Sequence, residues 1–513
     1  METASSEQYR NPGQTPEEVL ERHFGYTSFR AGQKEIIAHI LSGGDRVAVL
    51  PTGGGKSLCY LLPAFLLPGK TLVVSPLIAL IKDQVEHAER AGLEALFWRK
   101  ESGREDLARA RVIFTSPEFL LRRKESLRAL PISHLVIDEA HCVCDWGGAF
   151  RPSYAEITGI LEYCACANVS LFTASADRGR CLELARRFSL REPKYFMRGF
   201  DRPNIAWHCH ETSFPLLFAL NYLQENADRA IVYCRTRLLA ARAAALLQAF
   251  GLPARPFHAG MSEKMRAELQ EAFVSGEVMI LCATSAFGMG VDVSSVRTVM
   301  HLNTPDSCNA YYQEAGRAGR DGKPALALML VPPKEQRYDS RRELHKFLSR
   351  AARALPQKIH EDILRDLCKK YRSSLDAGVV LAFLLHHGAY LRSSVDGEYG
   401  AAPDRDKRIR AGLLEEQDAR AKEQAWMRGY ISAQCPCRRH ALLLRYEENA
   451  AMHCSACDRC GSLFSARLEA IRKKTEEEVL LLKRARAIPW ERRALVFRGA
   501  EYSRLSALLK FLA

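Results

Sequence analysis

Two stretches of this chain alternate short β-forming runs with helical patterns, and that alternation restricts the fold more than any other feature. The first stretch carries RVAVL (46–50), TLVVS (71–75), RVIFTS (111–116), HLVID (134–138) and VSLFTA (169–174), with helix-like segments such as LIALIKDQVEHAERAG between them. The second carries AIVYC (230–234), PFHAG (256–260), VMILCAT (278–284), RTVMHL (297–302) and ALALMLV (325–331), around AARAAALLQAF and KMRAELQEAF. Strands that rejoin one sheet through a crossover helix run parallel and are covered on both faces. The expected class is therefore α/β, with two parallel-sheet domains joined near residues 199–205. At 513 residues the chain is too long for a single core.

Composition narrows the setting. A formal charge of +14 favours a polyanionic partner, and nucleic acid is the first candidate. No run of 18 apolar residues occurs, and the N-terminus METASSEQYRNPGQTPEE is polar, so no membrane association is expected. The expected location is cytoplasmic and nucleoid-associated in a bacterium, or nuclear in a eukaryote. Sixteen cysteines without a signal sequence read as reduced thiols, and singletons such as Cys59, Cys234 and Cys282 read as small core residues.

Four local patterns carry chemistry. Leu50-Pro51-Thr52-Gly53-Gly54-Gly55-Lys56-Ser57 follows a strand and opens a helix. Its glycines let backbone N–H groups converge on phosphate, Lys56 would reach the β and γ phosphates, and Ser57 would hold Mg²⁺. Leu50 stands where the strict phosphate-loop pattern has glycine. Asp138 and Glu139 end a strand, where α/β proteins hold a metal–nucleotide complex. Asp138 would coordinate the magnesium, Glu139 would orient the attacking water, and His141 could relay between the nucleotide and the second block. Trp146, Phe150 and Arg151 follow closely, and aromatics with an arginine suit base stacking and phosphate contact. In the second block, Tyr312-Gln313-Glu314-Ala315-Gly316-Arg317-Ala318-Gly319-Arg320 sets two arginines three apart, on one side of a helix and its end. Such arginines stabilise transition-state charge on a phosphoryl group.

The C-terminal third holds a metal pattern. Cys437, Cys454, Cys457 and Cys460 read C-x₁₆-C-x₂-C-x₂-C, a spacing able to aim four thiolates at one tetrahedral Zn²⁺. The x₁₆ span RRHALLLRYEENAAMH reads as a helix that returns the first ligand. Cys435 and His453 compete as ligands, and a [4Fe–4S] cluster matches the ligand count equally.

The sequences FRAGQKEII, PTGGGKSLCY, DEAHC, FGMG and QEAGRAGRDG occur in this order. Together they resemble the RecQ DNA helicases of superfamily 2 from about Phe24 to Arg320, and the likeness resumes at the cysteines. The resemblance implies two RecA-like domains, a mostly helical C-terminal region with a zinc-binding subdomain, and a 3′-to-5′ DNA helicase driven by ATP and Mg²⁺. It implies that Tyr26 lies against adenine, with Arg30 and Gln33 on its edges. Ser75 and Pro76, in the SPLIALIKDQ segment, would contact DNA, and Gly290 and Asp292 would line the cleft. Trp146, Phe150 and Arg151 fall in the family's single-stranded-DNA-sensing loop. For the metal, the resemblance favours zinc, and Cys437 over Cys435. The family's loop usually reads WGHDF where this chain has Gly148-Ala149 between Gly147 and Phe150. Weaker coupling between DNA binding and hydrolysis is the expectation.

The expected organisation is a flexible tail (1–15), a first motor domain (16–199) and a second (200–335). A helical insert of winged-helix type, or a plain spacer, follows at 336–415. A zinc subdomain (416–462) and a helical tail (463–513) complete the chain. Expected partners are single-stranded and tailed or forked duplex DNA, with DNA-repair proteins in addition. Two other functions fit the motifs less fully: an ATP-switched DNA-binding or remodelling factor, and a superfamily 2 RNA helicase.

Overall fold

β1 (Arg46–Val49), β4 (Val112–Thr115) and β6 (Val169–Thr173) are buried at every position, as strands covered by helices on both faces must be. They belong to the first unit of a computed structural model. That structure describes the chain apart from residues 1–13, 51–53, 77, 144–155, 165, 167, 175, 198, 227, 288–292, 294, 334–339, 372–376, 393–397, 449–450, 489–495, 497–498 and 513. Contacts divide the chain into Met1–Phe200 with Arg337–Lys422 and Tyr446–Glu448, and Asp201–Gln336 with Glu423–Arg445 and Asn449–Ala513.

In the first unit β2 (Lys70–Val74), β3 (Ala95–Phe97), β5 (Ile132–Ile137) and β7 (Lys194–Met197) complete a seven-stranded sheet of order β3-β4-β2-β5-β6-β1-β7. Every pair in it is parallel, and the register sets Val49 beside Thr173 and Val74 beside Ile137. The C-terminal ends of β1, β2, β5 and β6 therefore open along one edge, the ligand edge of such sheets. Leu61, Val73, Phe114, Val136 and Phe172 share the core.

In the second unit β8 (Ile205–Glu211), β9 (Ala230–Tyr233), β10 (Ala254–Phe257), β11 (Ile280–Ala283), β12 (Thr298–His301) and β13 (Ala325–Val331) form a parallel sheet of order β10-β11-β9-β12-β13-β8. The C-terminal helices Ser465–Ala487 and Gly499–Leu512 seat Ile471, Leu482, Leu505 and Leu508 in the same core as Leu217 and Leu220. Asn221 pins the first of them by donating to Thr475 Oγ1 at 3.1 Å and Glu478 Oε2 at 2.9 Å.

In these two sheets β3, β7 and β8 lie outside the runs that the sequence marks. All sit at sheet edges, and β7 and β8 mix polar with apolar residues because only part of each strand is covered.

Residues 340–401 build a module of their own. Helix Ser340–Ala351 is followed by β14 (Lys358–Ile359), helices Glu361–Lys370 and Ala377–His386, then β15 (Tyr390–Arg392) and β16 (Tyr399–Ala401). The strands form an antiparallel sheet of order β14-β16-β15, and Gly388, at φ +63°, turns the third helix into β15. Leu348, Ile359, Leu364, Val380, Phe383 and Tyr390 fill its core, which Ile409 of the following helix Arg405–Ile431 completes. Among the described residues no helix is long and apolar enough to cross a membrane, and the described cysteines form no disulfide.

Candidate nucleotide site and metal centre

The phosphate-loop lysine and the paired carboxylates meet at the open edge of the first sheet. Gly55, at φ +74°, starts helix Lys56–Leu66, so Lys56 stands in the first turn after β1. Lys56 Nζ lies 2.7 Å from Glu139 Oε1. Glu139 Oε2 is 3.3 Å from His141 Nδ1, and that nitrogen also lies 3.0 Å from Thr173 Oγ1 at the end of β6. Asp138 follows β5, with its N–H donated to Val74 O and its Oδ1 accepting from the Glu139 N–H at 2.9 Å. Glu139 holds φ +49°, a left-handed conformation that costs a side-chain-bearing residue on the order of 1–2 kcal/mol. Its two ion pairs offset that strain.

Charge follows this geometry. Burial pushes the Asp138 carboxyl up to about 6, although Lys56 pulls the other way. Burial also opposes the Glu139 charge, but Lys56 and His141 hold that carboxyl well below the usual range. Lys56 stays above its ordinary value because Glu139 and Asp138 outweigh its desolvation. The site is thus a lysine clamped by an ionised glutamate, beside an aspartate whose charge is opposed by burial and would be favoured by a bound cation.

Gln33 backs the loop. It is 2% exposed, and its Nε2 donates to the carbonyls of Gly54 at 3.2 Å and Gly55 at 3.3 Å, while its Oε1 accepts from Arg30 N–H at 2.8 Å. The positive φ demands glycine at Gly55, and an added Cβ, 2.4 Å from Gln33 Nε2, would also displace that amide from the loop carbonyls. Gln33 therefore braces the loop from beside Arg30, the pair that the resemblance places at the edges of adenine. Tyr26 is half exposed and Arg30 is exposed, so both are open to a ligand. Ser57 is partly buried in the first helical turn, and Ser75 and Pro76 are buried at the end of β2. Thr52, Gly53, Trp146, Phe150, Arg151, Gly290 and Asp292 lie outside the described residues.

The arginine segment of the second unit departs from expectation. Its helix runs Cys308–Ala315 and stops at Gly316, so Gln313 is helical but Arg317 and Arg320 lie in the turns beyond. Gly319, at φ +56°, packs so closely on Ala325 and the Lys323 carbonyl that a Cβ would clash, and the helix cannot continue through it. Arg202 caps this turn by donating to Gly316 O at 2.9 Å, Ala318 O at 2.8 Å and Gly319 O at 2.9 Å. Asn204 adds a bond to Gly319 O at 2.7 Å. Asp201–Asn204 fall in the junction expected between the two domains. Charged and amide side chains in a stretch with no strand or helix pattern were the available signal.

The cysteines converge. Sγ atoms of Cys437, Cys454, Cys457 and Cys460 lie within 4.8 Å of one another, and Cys437 and Cys457 are 4.0 Å apart. Cys435 points instead at the Cys437 carbonyl, and His453 Nδ1 stands 3.8 Å from Cys460 Sγ. The turn is mounted on β8, with Trp207 N–H bonded to Ala456 O at 2.9 Å and Asp458 N–H to Trp207 O at 3.1 Å. Arg438 pairs with Asp458 at 3.0 Å, and Arg439 with Asp201. Four thiols held this way fit a tetrahedral zinc ion. The helix after Cys437 is shorter than the x₁₆ span suggested. It covers Arg438–Arg445 and ends before Glu447, which is left-handed at φ +56°.

Comparison with known proteins agrees with this layout. The DEAD/DEAH box helicase family matches residues 30–181, and the helicase conserved C-terminal domain matches residues 214–322. ATP-dependent DNA helicase RecQ of Pasteurella multocida is 37% identical over 347 residues, which are 65% of this chain and 54% of that protein. ATP-dependent DNA helicase RecQ of Synechocystis is 35% identical over 369 residues, 67% of this chain and 76% of that protein. The chain belongs to the RecQ family of DNA helicases. It spans about half the length of the first curated RecQ relatives it matches, 54% and 53%. A structure of the DUF1998 helicase MrfA bound to DNA and AMPPNP matches with a TM-score of 0.52 at 16% identity. The match covers 76% of this chain and 62% of that one, and it shares the fold. Within the RecQ frame, the Lys56–Glu139–His141–Thr173 chain and the four cysteines are the best-formed groups.

Proposed function

We propose that this chain is an ATP-dependent DNA helicase that translocates 3′-to-5′ on single-stranded DNA and unwinds tailed or forked duplexes. The observation that carries the reading is the 2.7 Å contact between Lys56 and Glu139, beside Asp138, at the ligand edge of a parallel sheet. The donor set fits a magnesium nucleotide. Ser57 and Asp138 would hold Mg²⁺, which when bound with ATP neutralises phosphate charge. In the proposed cycle Lys56 leaves Glu139 for the β and γ phosphates. Glu139, released, orients and deprotonates the attacking water. His141 senses that change and passes it to Thr173 through their hydrogen bond. Gln33 keeps the loop carbonyls turned away from the nucleotide. In the second unit Arg317 and Arg320, with Gln313 beside them, act on the charge that develops at the γ phosphate, and Arg202 fixes their turn. Trp146, Phe150 and Arg151 contact single-stranded DNA, as do Ser75 and Pro76, and Tyr26 and Arg30 receive the base of ATP. Gly290 and Asp292 line the nucleotide cleft.

Cys437, Cys454, Cys457 and Cys460 would hold Zn²⁺, whose binding contributes folding free energy to the second unit. The helix–strand–helix–helix–strand–strand order of residues 340–401 supports a winged-helix module. Its third helix, AGVVLAFLLH, carries no lysine or arginine and buries Val380, Phe383 and Leu384. A duplex-reading role through that helix has no support. The proposed setting is nucleoid or nuclear DNA, with repair proteins as partners.

The test is strand displacement on 3′-tailed DNA and RNA duplexes, with Lys56→Ala as the control. DNA displacement by the wild type alone is expected. Nucleotide-dependent DNA binding without displacement would favour a switch, and displacement of RNA alone would favour an RNA helicase.

A further inference from the structure

His386 ends the third helix of the inserted module, His387 follows in the turn, and Glu416 lies on the long helix packed against them. One ligand atom from each falls within 4.8 Å of the others. The imidazole of His387 is 93% buried, with a side-chain exposure of 7%. Its ring rests on Gly412, where an added Cβ would come within 2.4 Å of the ring. His387 Nδ1 lies 3.6 Å from Glu415, and its buried Nε2 makes no hydrogen bond while lying 3.9 Å from Glu416 Oε1. The two rings are edge to face with centroids 4.7 Å apart.

We propose that His386, His387 and Glu416 form a second metal site, for a divalent ion of the zinc class, which staples the inserted module to the Arg405–Ile431 helix. Two imidazoles and a carboxylate suit zinc, nickel or copper. Bonds near 2.1 Å in tetrahedral geometry set donors about 3.4 Å apart, so atoms within 4.8 Å of one another need draw in by at most about 1.4 Å. A ligand ring must be neutral, and the burial of His387 favours that form.

Arg187 gives the site a built-in competitor. Its Nη2 donates to His386 Nε2 at 3.0 Å, using the lone pair that a metal would use. It is also held by Glu183 at 2.8 Å, so it can release His386 without losing its ion pair. Ion binding and the Arg187 bond to that nitrogen exclude each other.

The experiment titrates the metal-stripped, reduced full chain with Co²⁺. The cysteine centre gives intense thiolate-to-cobalt absorption, whereas a nitrogen–oxygen site gives weak visible bands alone. Two equivalents are expected in the wild type. His386→Ala with Glu416→Gln should remove the second and leave the thiolate bands, whose persistence also reports that the chain has folded. Arg187→Ala should tighten the second equivalent about tenfold, the scale of an outer-shell change. The proposal fails if no cobalt binds beyond the thiolate centre, if the second equivalent survives the double variant, or if Arg187→Ala weakens it. Absent thiolate bands with a normal second site would count against the cysteine centre instead.

Discussion

At the scale of single residues, the nucleotide site of the first unit depends on how Lys56 divides its contacts. In the present structure Glu139 holds it, and a bound phosphate would compete for the same ammonium. Glu139→Gln should keep nucleotide affinity within a few-fold yet lower the turnover number by about 10²–10⁴, the range for a lost general base. Equal losses in binding and turnover would show a structural role instead. Trp146→Ala should depress DNA-stimulated hydrolysis, since stacking contributes about 1–3 kcal/mol per base, while basal nucleotide binding survives. Loss of that binding would reassign Trp146 to the core. Restoring the family's usual loop with Gly148→His and Ala149→Asp should raise the DNA-stimulated rate. An unchanged rate would remove the case for weakened coupling.

At the scale of elements, buried hydrogen bonds set most of the outcomes. Arg202 serves three carbonyls of the arginine turn, and bonds to a charged group contribute about 1.5–3 kcal/mol each. Arg202→Ala should therefore reduce turnover more than nucleotide affinity, read as a split between kcat and KM. His134, on β5, is wholly buried against Ser170 Oγ at 2.7 Å, and burial holds it well below its ordinary 6.5. Its folded pKa is depressed, so the stability tied to the neutral ring is present above 6.5 and is lost as pH falls below it. Melting of the wild type should drop through that window, and His134→Phe should flatten the drop. An unaltered slope would assign the acid sensitivity elsewhere. The same scale explains what the sequence disclosed. β1, β4 and β6 were legible because burial on both faces leaves an unbroken apolar run. The phosphate loop and Asp138-Glu139 were legible because their chemistry is local. β3, β7 and β8 were not, because an edge strand lacks one neighbour and relaxes its pattern. The Arg202 brace joins groups more than a hundred residues apart, and the end of the Cys308–Ala315 helix is set by packing at Gly319. Neither leaves a local trace.

For the whole molecule, the proposed zinc centre would add to the stability of the second unit. The cysteine turn hydrogen-bonds to β8 through Trp207, and Arg439 binds Asp201 next to the brace of the arginine turn. Chelation or Cys457→Ser should lower the melting temperature and also impair turnover, because the metal's binding energy is folding energy. Unchanged melting and zinc content would overturn the assignment. DNA affinity should fall steeply with salt, since +14 of net charge binds a polyanion with counterion release. The central claim, that nucleotide hydrolysis here drives strand separation, is tested most directly by displacement of a 3′-tailed DNA duplex under ATP and Mg²⁺. The account predicts displacement by the wild type, none by Lys56→Ala, and none from a duplex with only a 5′ tail. ATP hydrolysis and DNA binding with no strand released from the 3′-tailed duplex would contradict it.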